Sequence, residues 1–385
     1  MQEQSLFQKI RGQSRALKIL FQAIENEHIA QAYLFHGIEG VGKFTTALYF
    51  GMALNCLANK EFRPCGVCSS CHKFLNFEHP DLLYLFPTPN LQLTPEGEIK
   101  NDEYRKEYEG YIRNKIETPW EDYRFSSNIM IRKESISWLI KRLNISSYEA
   151  KYRICIIEDA DLMNIETANA FLKTLEEPPE STVIILTTNN PSQLLPTIVS
   201  RCQPIHFQPV DPNVIAQILI DDFNTSPRTA RIVSQIADGS VKYAIHLVQG
   251  ESSKLRERAF EIMQMALEGN DLAYYRSLQA NLQKYNAENL IEIIRYLCMF
   301  VGDLDLIESA EEQVVNIDKK DFLIEARAKI PIQNSAELTD KVLDFVLLMQ
   351  DYIRKIRGNV NLQLIQQNLY FQLNKLFRPR SYGGE

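Results

Sequence analysis

The segment Leu34–Phe50, LFHGIEGVGKFTTALYF, carries residues whose types and spacing suit the binding of phosphate groups. Gly37, Gly42 and Lys43 match the loop motif G-x-x-x-x-G-K-[ST], in which backbone N–H groups cradle phosphates and the lysine reaches the β and γ phosphates. Phe44 stands where the motif has Ser or Thr, so the hydroxyl that normally reaches Mg²⁺ is missing. The segment therefore predicts a phosphate site whose metal-binding part is impaired.

Two more residues of the segment are assigned to the same site. Gly40 lies inside the loop, and Thr45 follows Phe44 at the start of the predicted helix. Because successive helical residues are about 100° apart, the Thr45 hydroxyl cannot simply replace the missing one. Nucleotide binding without hydrolysis and an idle, vestigial loop are both compatible with these residues.

A pair of acids follows the apolar run that ends in Ile156-Ile157. A phosphate site of this kind usually carries Asp and then Glu here, the first assisting Mg²⁺ and the second polarising the attacking water. The chain has Glu158 and then Asp159, so each carboxylate is displaced by about one methylene, on the order of 1 Å, which can cost roughly a hundredfold in rate. The alternative is that these acids are only a polar strand end.

Four of the seven cysteines are crowded into sixteen residues: Cys56, Cys65, Cys68 and Cys71. Four thiolates at this spacing suit tetrahedral zinc, and four protein ligands leave no position for water, which predicts a structural ion. Four unrelated core cysteines are the alternative, at roughly one in ten for this spacing. His72 and His79 lie nearby, and we expect them to be surface or packing residues.

Buried strands that alternate with helices position these residues. Apolar runs at Tyr33–Phe35, Tyr152–Ala160 and Ser181–Asn190 predict strands of a parallel α/β sheet. Phe44–Cys56 is predicted to be a helix, and residues 165–177 another that stops before Pro178. Residues 87–132 break the pattern and are interpreted as an insertion, a solvated surface excursion with a short helix near residues 102–115. Helices with caps at Asp211 and Ser226 follow, and the rest is amphipathic helix, one of them stopped by Gly358, with a frayed tail.

Composition excludes several classes of protein. The chain has 385 residues and a net charge of −7, which argues against strong independent DNA binding. It has no run of about 18 apolar residues and no secretory leader pattern, so we expect no membrane association and a cytoplasmic location. Its local concentration of basic residues is interpreted as a solvated face: Arg132, Lys133, Lys141, Arg142, Lys151 and Arg153.

The segment TTNNPSQLLPTIVSRCQPIHF adds Ser200-Arg201-Cys202 to these features. With the glycine loop, the four cysteines, EDADLMNIETANAFLKTLEEPP and HPDL, the chain resembles bacterial clamp-loader subunits of the AAA+ class, and among them the delta-prime family of DNA polymerase III. The resemblance is specific over residues 5–250 and weaker beyond. Residues 87–132 lie outside it.

The resemblance implies an α/β P-loop AAA+ core with a parallel sheet over residues 1–208, with the zinc module at 56–71. It implies a small helical lid at 209–255 and an all-α C-terminal collar domain for oligomerisation at 256–385. Arg201 would be an arginine finger that acts in trans on a neighbour's ATP site. Lys242 stands where an ATP-hydrolysing relative carries a lid arginine that contacts the γ phosphate, and it lacks the planar fork of that group.

The implied partners are the gamma/tau and delta subunits in a heteropentamer that loads a sliding clamp on primed DNA. The favoured hypothesis is a structural stator with little ATP hydrolysis of its own. The alternative is a working ATPase motor of the gamma/tau kind, which Phe44 argues against. A third hypothesis, an unrelated zinc-containing adaptor, is disfavoured by Ser200-Arg201-Cys202.

Overall fold

The computed structural model describes residues 5–378 except 92, 95, 96, 122, 124, 146, 147, 250, 251, 282–286, 310, 312, 313, 333, 358 and 359. The contacts divide the chain into two compact units. The first comprises Met1–Phe223 and Asp238–Ile245, and the second comprises Asn224–Ala237 and His246–Glu385. The predicted helix stop at Gly358 and the tail beyond Arg378 lie outside the described residues.

A parallel five-stranded sheet forms the centre of the first unit, as predicted. Its strands are β1 (Ala32–His36), β2 (Leu82–Leu85), β3 (Arg153–Ile157), β4 (Thr182–Thr188) and β5 (Gln203–His206). The spatial order is β2-β3-β4-β1-β5, and every neighbouring pair is parallel. The two strands richest in β-branched residues, β3 and β4, are buried along their whole length, as expected for strands covered on both faces. Because β1, β3 and β4 are parallel neighbours, the residues that follow them lie at the same end of the sheet, its carboxyl end.

Helices cover the sheet, and those predicted from the sequence are confirmed with small changes at their ends. In the first unit they are α1 (Ser14–Glu25), α2 (Lys43–Asn55), α3 (Ser69–Leu75), α4 (Asp102–Glu117), α5 (Lys133–Leu143), α6 (Ile165–Glu176), α7 (Pro196–Val199) and α8 (Pro212–Phe223). Phe171 and Leu175 of α6 are buried, as their spacing indicated. Asp211 caps α8, since its Oδ1 accepts the N–H of Asn213 at 2.8 Å.

The insertion is only partly the solvated excursion that the sequence suggested. Its helix, α4, confirms the prediction of a helix, but one face of it packs on the core. The Tyr111 ring stacks on Phe86 with 4.0 Å between centroids, and Tyr108 lies 5.2 Å from the same ring. Tyr108, Tyr111 and Lys115 are spaced by three and four residues, which places them on one face of a helix. This aromatic face holds α4 against the end of β2.

The interpretation of the basic residues as a solvated face is wrong for Arg153. Its side chain is buried, and its Nη1 donates to the carbonyl oxygens of Leu143 (2.8 Å) and Ile145, while Nη2 lies 3.5 Å from Asp81 Oδ1. Asp81 also accepts backbone N–H bonds from Tyr148, Glu149 and Ala150 at 2.9–3.2 Å. Arg153 and Asp81 therefore tie the loop before β3 to β2.

The regular secondary structure described in the second unit is helical, as the amphipathic pattern predicted. The elements are α9 (Pro227–Ile236), α10 (Val241–Gln249, which begins in the first unit), α11 (Ser252–Glu268), α12 (Asp271–Asn281), α13 (Ala287–Leu306), α14 (Lys320–Lys329), α15 (Ser335–Arg357) and α16 (Leu362–Phe377). Tyr274 and Tyr370 stack at 3.9 Å in this core. Across the described residues, no helix has the length and apolar character that crossing a bilayer demands.

Candidate nucleotide site, cysteine cluster and exposed arginine

The glycine loop lies between β1 and α2, where the motif predicted it. Gly42, the residue before the first turn of α2, has a φ of +92°, and Gly40 has a φ of +79°, a region that favours glycine. A Cβ at Gly40 would lie 2.2 Å from Ser240 Oγ and 2.6 Å from Lys242 Cβ. The loop therefore needs glycine at position 40 because the segment Ser240–Lys242 packs directly on it.

Lys43 is buried in the loop with its ammonium group fully engaged. Its Nζ donates to the carbonyl oxygens of Gly37 (2.9 Å) and Ile38 (2.7 Å) and to Asn189 Oδ1 (2.7 Å). An ammonium group has three N–H donors, and here all three have protein acceptors. Burial lowers the pKa of Lys43 to about 8, an effect that the nearby carboxylates, Asp159 foremost, only partly oppose. A phosphate would have to displace at least one of these bonds.

Asn189 belongs to this site and was missed by the sequence analysis. It directly follows β4, next to β1 in the sheet, and its amide group bridges Lys43 and Asp159, with Nδ2 3.4 Å from Asp159 Oδ1. Asn189 could have been found from its position in the sequence. It is a polar residue directly after a buried strand, and the two strands beside that strand in the sheet, β1 and β3, also end close to predicted site residues. This inference requires the strand order, which the sequence alone did not provide.

Phe44 stands at the position where the motif has a hydroxyl, and its ring belongs to an aromatic cluster. Its ring lies 6.1 Å from Phe77 and 5.1 Å from Tyr84, and Lys115 Nζ lies 4.3 Å from its centroid. The half-buried Thr45 lies on the first turn of α2, as predicted. The next hydroxyl, that of Thr46, donates back to the Gly42 carbonyl oxygen at 2.8 Å and is thereby committed to the helix.

Glu158 is held by groups that leave neither of its oxygens free. Lys115 Nζ lies 2.7 Å from Oε1, Tyr111 Oη donates to Oε2 at 2.9 Å, and Tyr84 Oη donates to the same oxygen. Burial acts to raise the pKa of Glu158, but Lys115 and the two tyrosine hydroxyls outweigh it and hold the pKa below its ordinary value. The carboxylate is therefore ionised and neutralised by an internal cation.

Asp159, the second acid, faces a different environment. It has a φ of +47° and accepts only the long bond from Asn189 among the described hydrogen bonds of its side chain. Burial, and then the charges of Glu158 and Asp161, raise its pKa to about 7. The pKa values of the two adjacent acids are thus shifted in opposite directions, because burial dominates at Asp159, whereas at Glu158 the direct ion pair with Lys115 and the tyrosine hydroxyls outweigh burial.

Lys242 also reaches the loop. Its backbone N–H donates to the Gly40 carbonyl oxygen at 3.2 Å, and its Nζ lies 2.8 Å from Glu39 Oε1. The structure thus brings together the loop glycines, Lys43, both acids and Lys242 at the carboxyl end of the sheet. Their assignment to nucleotide binding stays a prediction.

The four crowded cysteines converge on one point outside this site. All four Sγ atoms lie within 4.8 Å of one another, and the Cys56–Cys68 and Cys65–Cys71 pairs are each 4.0 Å apart. A tetrahedral ion with sulfur ligands at about 2.3 Å would space them by roughly 3.8 Å. Backbone N–H groups of Cys65, Cys68 and Cys71 point at the sulfurs at 3.4–3.5 Å. The donor set therefore fits a closed tetrahedral zinc site.

The local fold explains this convergence. Cys56 ends α2, Gly66 turns the chain between Cys65 and Cys68 with a φ of +74°, and Cys71 lies on α3. The nearby histidines stay out of the cluster, as expected: His72 is exposed, and His79 is buried against Phe74.

Arg201 lies at the other end of the sheet. Cys202, the next residue, is buried in the core, whereas the Arg201 side chain is 32% exposed. It donates to the Thr197 carbonyl oxygen at 2.8 Å and pairs with Glu176. Arg201 precedes β5 and the glycine loop follows β1, and these strands are parallel with Tyr33 opposite Gln203 and His36 opposite His206. The strand ends that they flank are therefore about 10 Å apart.

The strand order, the glycine loop after β1 and the acids after β3 define a P-loop protein of the AAA+ class. The family model described as DNA polymerase III, delta subunit, matches residues 12–211, slightly more than half of the chain. The chain therefore belongs to that family.

The chain is also similar to individual proteins. The chain is 25% identical to the DNA polymerase III subunit delta' of Bacillus subtilis over 94% of this chain and 96% of that protein. It is 26% identical to the tau subunit of Escherichia coli over 63% of this chain and 32% of tau, of which it spans about a third. A solved gamma subunit-related protein of Thermotoga maritima is 16% identical over 94% of this chain and 100% of that one, with a TM-score of 0.33.

Proposed function

We propose that this chain is a delta-prime-like subunit of a DNA polymerase III clamp loader, acting as a stator that presents Arg201 to the ATP site of a neighbouring subunit. The observation that supports this most is the position of Arg201. It is exposed at the end of the sheet opposite the chain's own loop, so it cannot serve that loop. A guanidinium on a surface can enter a neighbour's site and offset the charge of a transferring phosphoryl group.

The chain's own loop is proposed to hydrolyse ATP poorly or not at all. Phe44 supplies no hydroxyl, Glu158 is neutralised by Lys115, and Lys43 has three protein acceptors. These three departures affect different parts of the chemistry, so restoring one of them would leave the others. Binding of ATP without hydrolysis fits the surviving glycine loop, and binding alone is the most that we propose for it.

The cysteine cluster is proposed to hold a structural zinc ion. The four sulfurs have the spacing of a closed tetrahedral site, and N–H groups stabilise the thiolate form. The residues that would hold the ion are Cys56, Cys65, Cys68 and Cys71. Because four thiolates fill all four positions of a tetrahedral site, we assign the ion to stability and not to catalysis.

The proposed partners follow from the relatives. Similarity to a delta' subunit along nearly the whole chain, and to tau subunits over the first two thirds, supports assembly with gamma/tau and delta subunits in a heteropentamer. In that assembly the helices of residues 256–385 would form the collar, and residues 209–255 would form the lid. The complex would load a sliding clamp on primed DNA in the cytoplasm.

Reconstitution tests the proposal. A complex of this chain with its gamma/tau and delta partners, clamp and primed DNA is assayed for ATP hydrolysis with wild type, Arg201→Ala and Arg201→Lys. We expect Arg201→Ala to lower the rate at the affected site by on the order of 10³-fold, and Arg201→Lys to recover little, because lysine lacks the planar fork. Unchanged hydrolysis and clamp loading by Arg201→Ala would overturn the finger assignment.

A further inference from the structure

A protein cation already stands at the acid that would face a metal ion in a nucleotide site. Lys115 Nζ lies 2.7 Å from Glu158 Oε1, and the two side chains are only 12% and 13% exposed. The other oxygen of Glu158 accepts hydrogen bonds from Tyr84 and Tyr111. Both oxygens of this carboxylate are therefore occupied from within the protein.

The cation comes from the insertion, in a fixed position. Tyr111 and Lys115 lie one helical turn apart on α4, and Tyr111 is stacked on Phe86 at 4.0 Å and lies 5.5 Å from Phe125. A side chain one turn from a packed aromatic ring is held in register with it. The ion pair is consequently part of the packing between α4 and the sheet.

Phe44 and Lys115 depend on each other in this arrangement. The ring that replaces the usual hydroxyl is the ring over which the ammonium lies, with Nζ 4.3 Å from its centroid. A cation over the face of an aromatic ring is stabilised by the ring's quadrupole. A Ser or Thr at position 44 would remove that support and restore a metal ligand at the same time.

We propose that Lys115 is a built-in cation that takes the electrostatic place of the divalent metal ion, so that Phe44, Lys115 and Glu158 form a metal-free lock on this end of the sheet. The residues do not fit Mg²⁺, which demands several oxygen ligands in near-octahedral geometry. Phe44 offers no oxygen, both oxygens of Glu158 are engaged, and the ammonium repels a second cation. This proposal extends the proposed function, and it rests on the proposal made there that the glycine loop hydrolyses little or no ATP.

Three other acids stand at the same end and could still attract a cation, and one of them, Glu39, pairs with Lys242. Asp161 accepts a 2.6 Å hydrogen bond from Thr188 Oγ1, and Asp159 contacts Asn189. Any test must therefore assign metal binding to Glu158 itself. The variant Glu158→Gln, which keeps the shape and removes the charge, makes that assignment.

Binding of Mn²⁺ to the isolated chain tests the lock. The cysteines are first saturated with zinc, and free Mn²⁺ is measured by electron paramagnetic resonance. We expect Lys115→Met to bind Mn²⁺ at least about tenfold more tightly than wild type, and Lys115→Met/Glu158→Gln to lose the gain. Lys133→Met, which breaks the exposed pair with Glu166, is the matched control and should behave as wild type. A folded Lys115→Met chain with wild-type affinity would overturn the proposal.

A second measurement needs no change at Lys115. Millimolar Mg²⁺ should leave the thermal midpoint of the wild-type chain where it is, and the same should hold for Glu158→Gln. A midpoint that rises with Mg²⁺ in wild type and not in Glu158→Gln would show that the metal binds Glu158 despite Lys115, and the proposal would fall. Both measurements use the isolated chain, so their outcome is independent of whether Arg201 serves a neighbour.

Discussion

The two ends of the parallel sheet treat their charged side chains differently. At the carboxyl end, Lys43 has three internal acceptors and Glu158 is paired with Lys115. At the amino end, Arg201 makes one backbone bond and one ion pair and remains 32% exposed. The carboxyl end is where P-loop proteins carry out their chemistry, yet here the exposed, weakly held cation is at the opposite end.

This difference indicates that the chain keeps the backbone of a nucleotide-binding loop, whereas the charged side chains near the loop are already paired within the protein. The glycine loop keeps its backbone geometry, including the positive φ angles at Gly40 and Gly42, and at Gly40 the packing of the segment Ser240–Lys242 leaves no room for a side chain. Lys43, Lys115 and Glu158 near the loop are largely buried and have their partners inside the protein. An ammonium group whose three N–H donors all have protein acceptors must lose one of those bonds before it can bind a phosphate.

The largest effect is expected at the cysteine cluster, which belongs to neither end. Removing zinc with a chelator, or changing Cys71 to Ser, should lower the free energy of unfolding by several kcal/mol, since structural zinc sites couple binding to folding. Urea unfolding with and without chelator measures it, with Cys298→Ser as the control cysteine. Because Cys56 ends the helix that Lys43 begins, we expect the loss to affect the glycine loop as well. A chelator that leaves the unfolding curve unchanged would contradict the zinc assignment.

The second largest effect is expected from breaking the ion pair between Lys115 and Glu158. Glu158→Ala should destabilise the chain by roughly 3 kcal/mol, because it leaves Lys115 poorly solvated and without its partner. Glu166→Ala is the matched control: it removes an ion pair with Lys133 whose side chains are 67% and 53% exposed, and it should cost less than about 1 kcal/mol. Equal effects of the two variants in urea unfolding would mean that the carboxyl end is not held more tightly than the surface.

The pH dependence of stability gives a smaller effect at the same end. The folded pKa of Asp159 is raised to about 7 from an ordinary 3.8, so the folded state holds a proton that the unfolded state has lost. The contribution is fully favourable below pH 3.8 and is lost, by a few kcal/mol, as pH rises through 7. Asp159→Asn, which tolerates the positive φ, should flatten this decline. Parallel stability curves for both chains between pH 4 and 8 would rule out the raised pKa.

The smallest effect is expected for Arg201→Ala in the isolated chain. The Arg201–Glu176 pair is exposed, so its loss should change the free energy of unfolding by less than about 1 kcal/mol. This sharpens the comparison, because any large loss of hydrolysis in the complex then reflects the missing guanidinium and not unfolding. A drop of several kcal/mol in urea unfolding would instead make Arg201 a structural residue.

Features set by local spacing could be predicted from the sequence. The strand that precedes the loop, the helix that follows it and the convergence of four cysteines each depend on residues close together in the chain. Apolar runs, helical periodicity and the Cys65-Gly66-Val67-Cys68 turn contain enough information for them.

Features set by distant contacts could not be predicted. Lys115 and Glu158 are 43 positions apart, and Lys43 and Asn189 are 146 apart. Charged residues such as Arg153 and Lys115 are usually solvated, so their burial becomes visible only when strand order and the packing of α4 are known. The internal pairing of the charged side chains at the carboxyl end therefore depends on the fold, and the glycine motif alone does not predict it.

The comparison of the two ends is tested most directly by comparing Arg201→Ala with Lys43→Ala in one reconstituted complex. ATP hydrolysis is measured with the partner subunits, clamp and primed DNA, using wild type as the reference. If the carboxyl end is idle and the amino end serves a neighbour, Arg201→Ala loses most of the activity and Lys43→Ala stays near wild type. If Lys43→Ala is the damaging change, and the isolated wild-type chain hydrolyses ATP, the chain is a motor and the account is wrong.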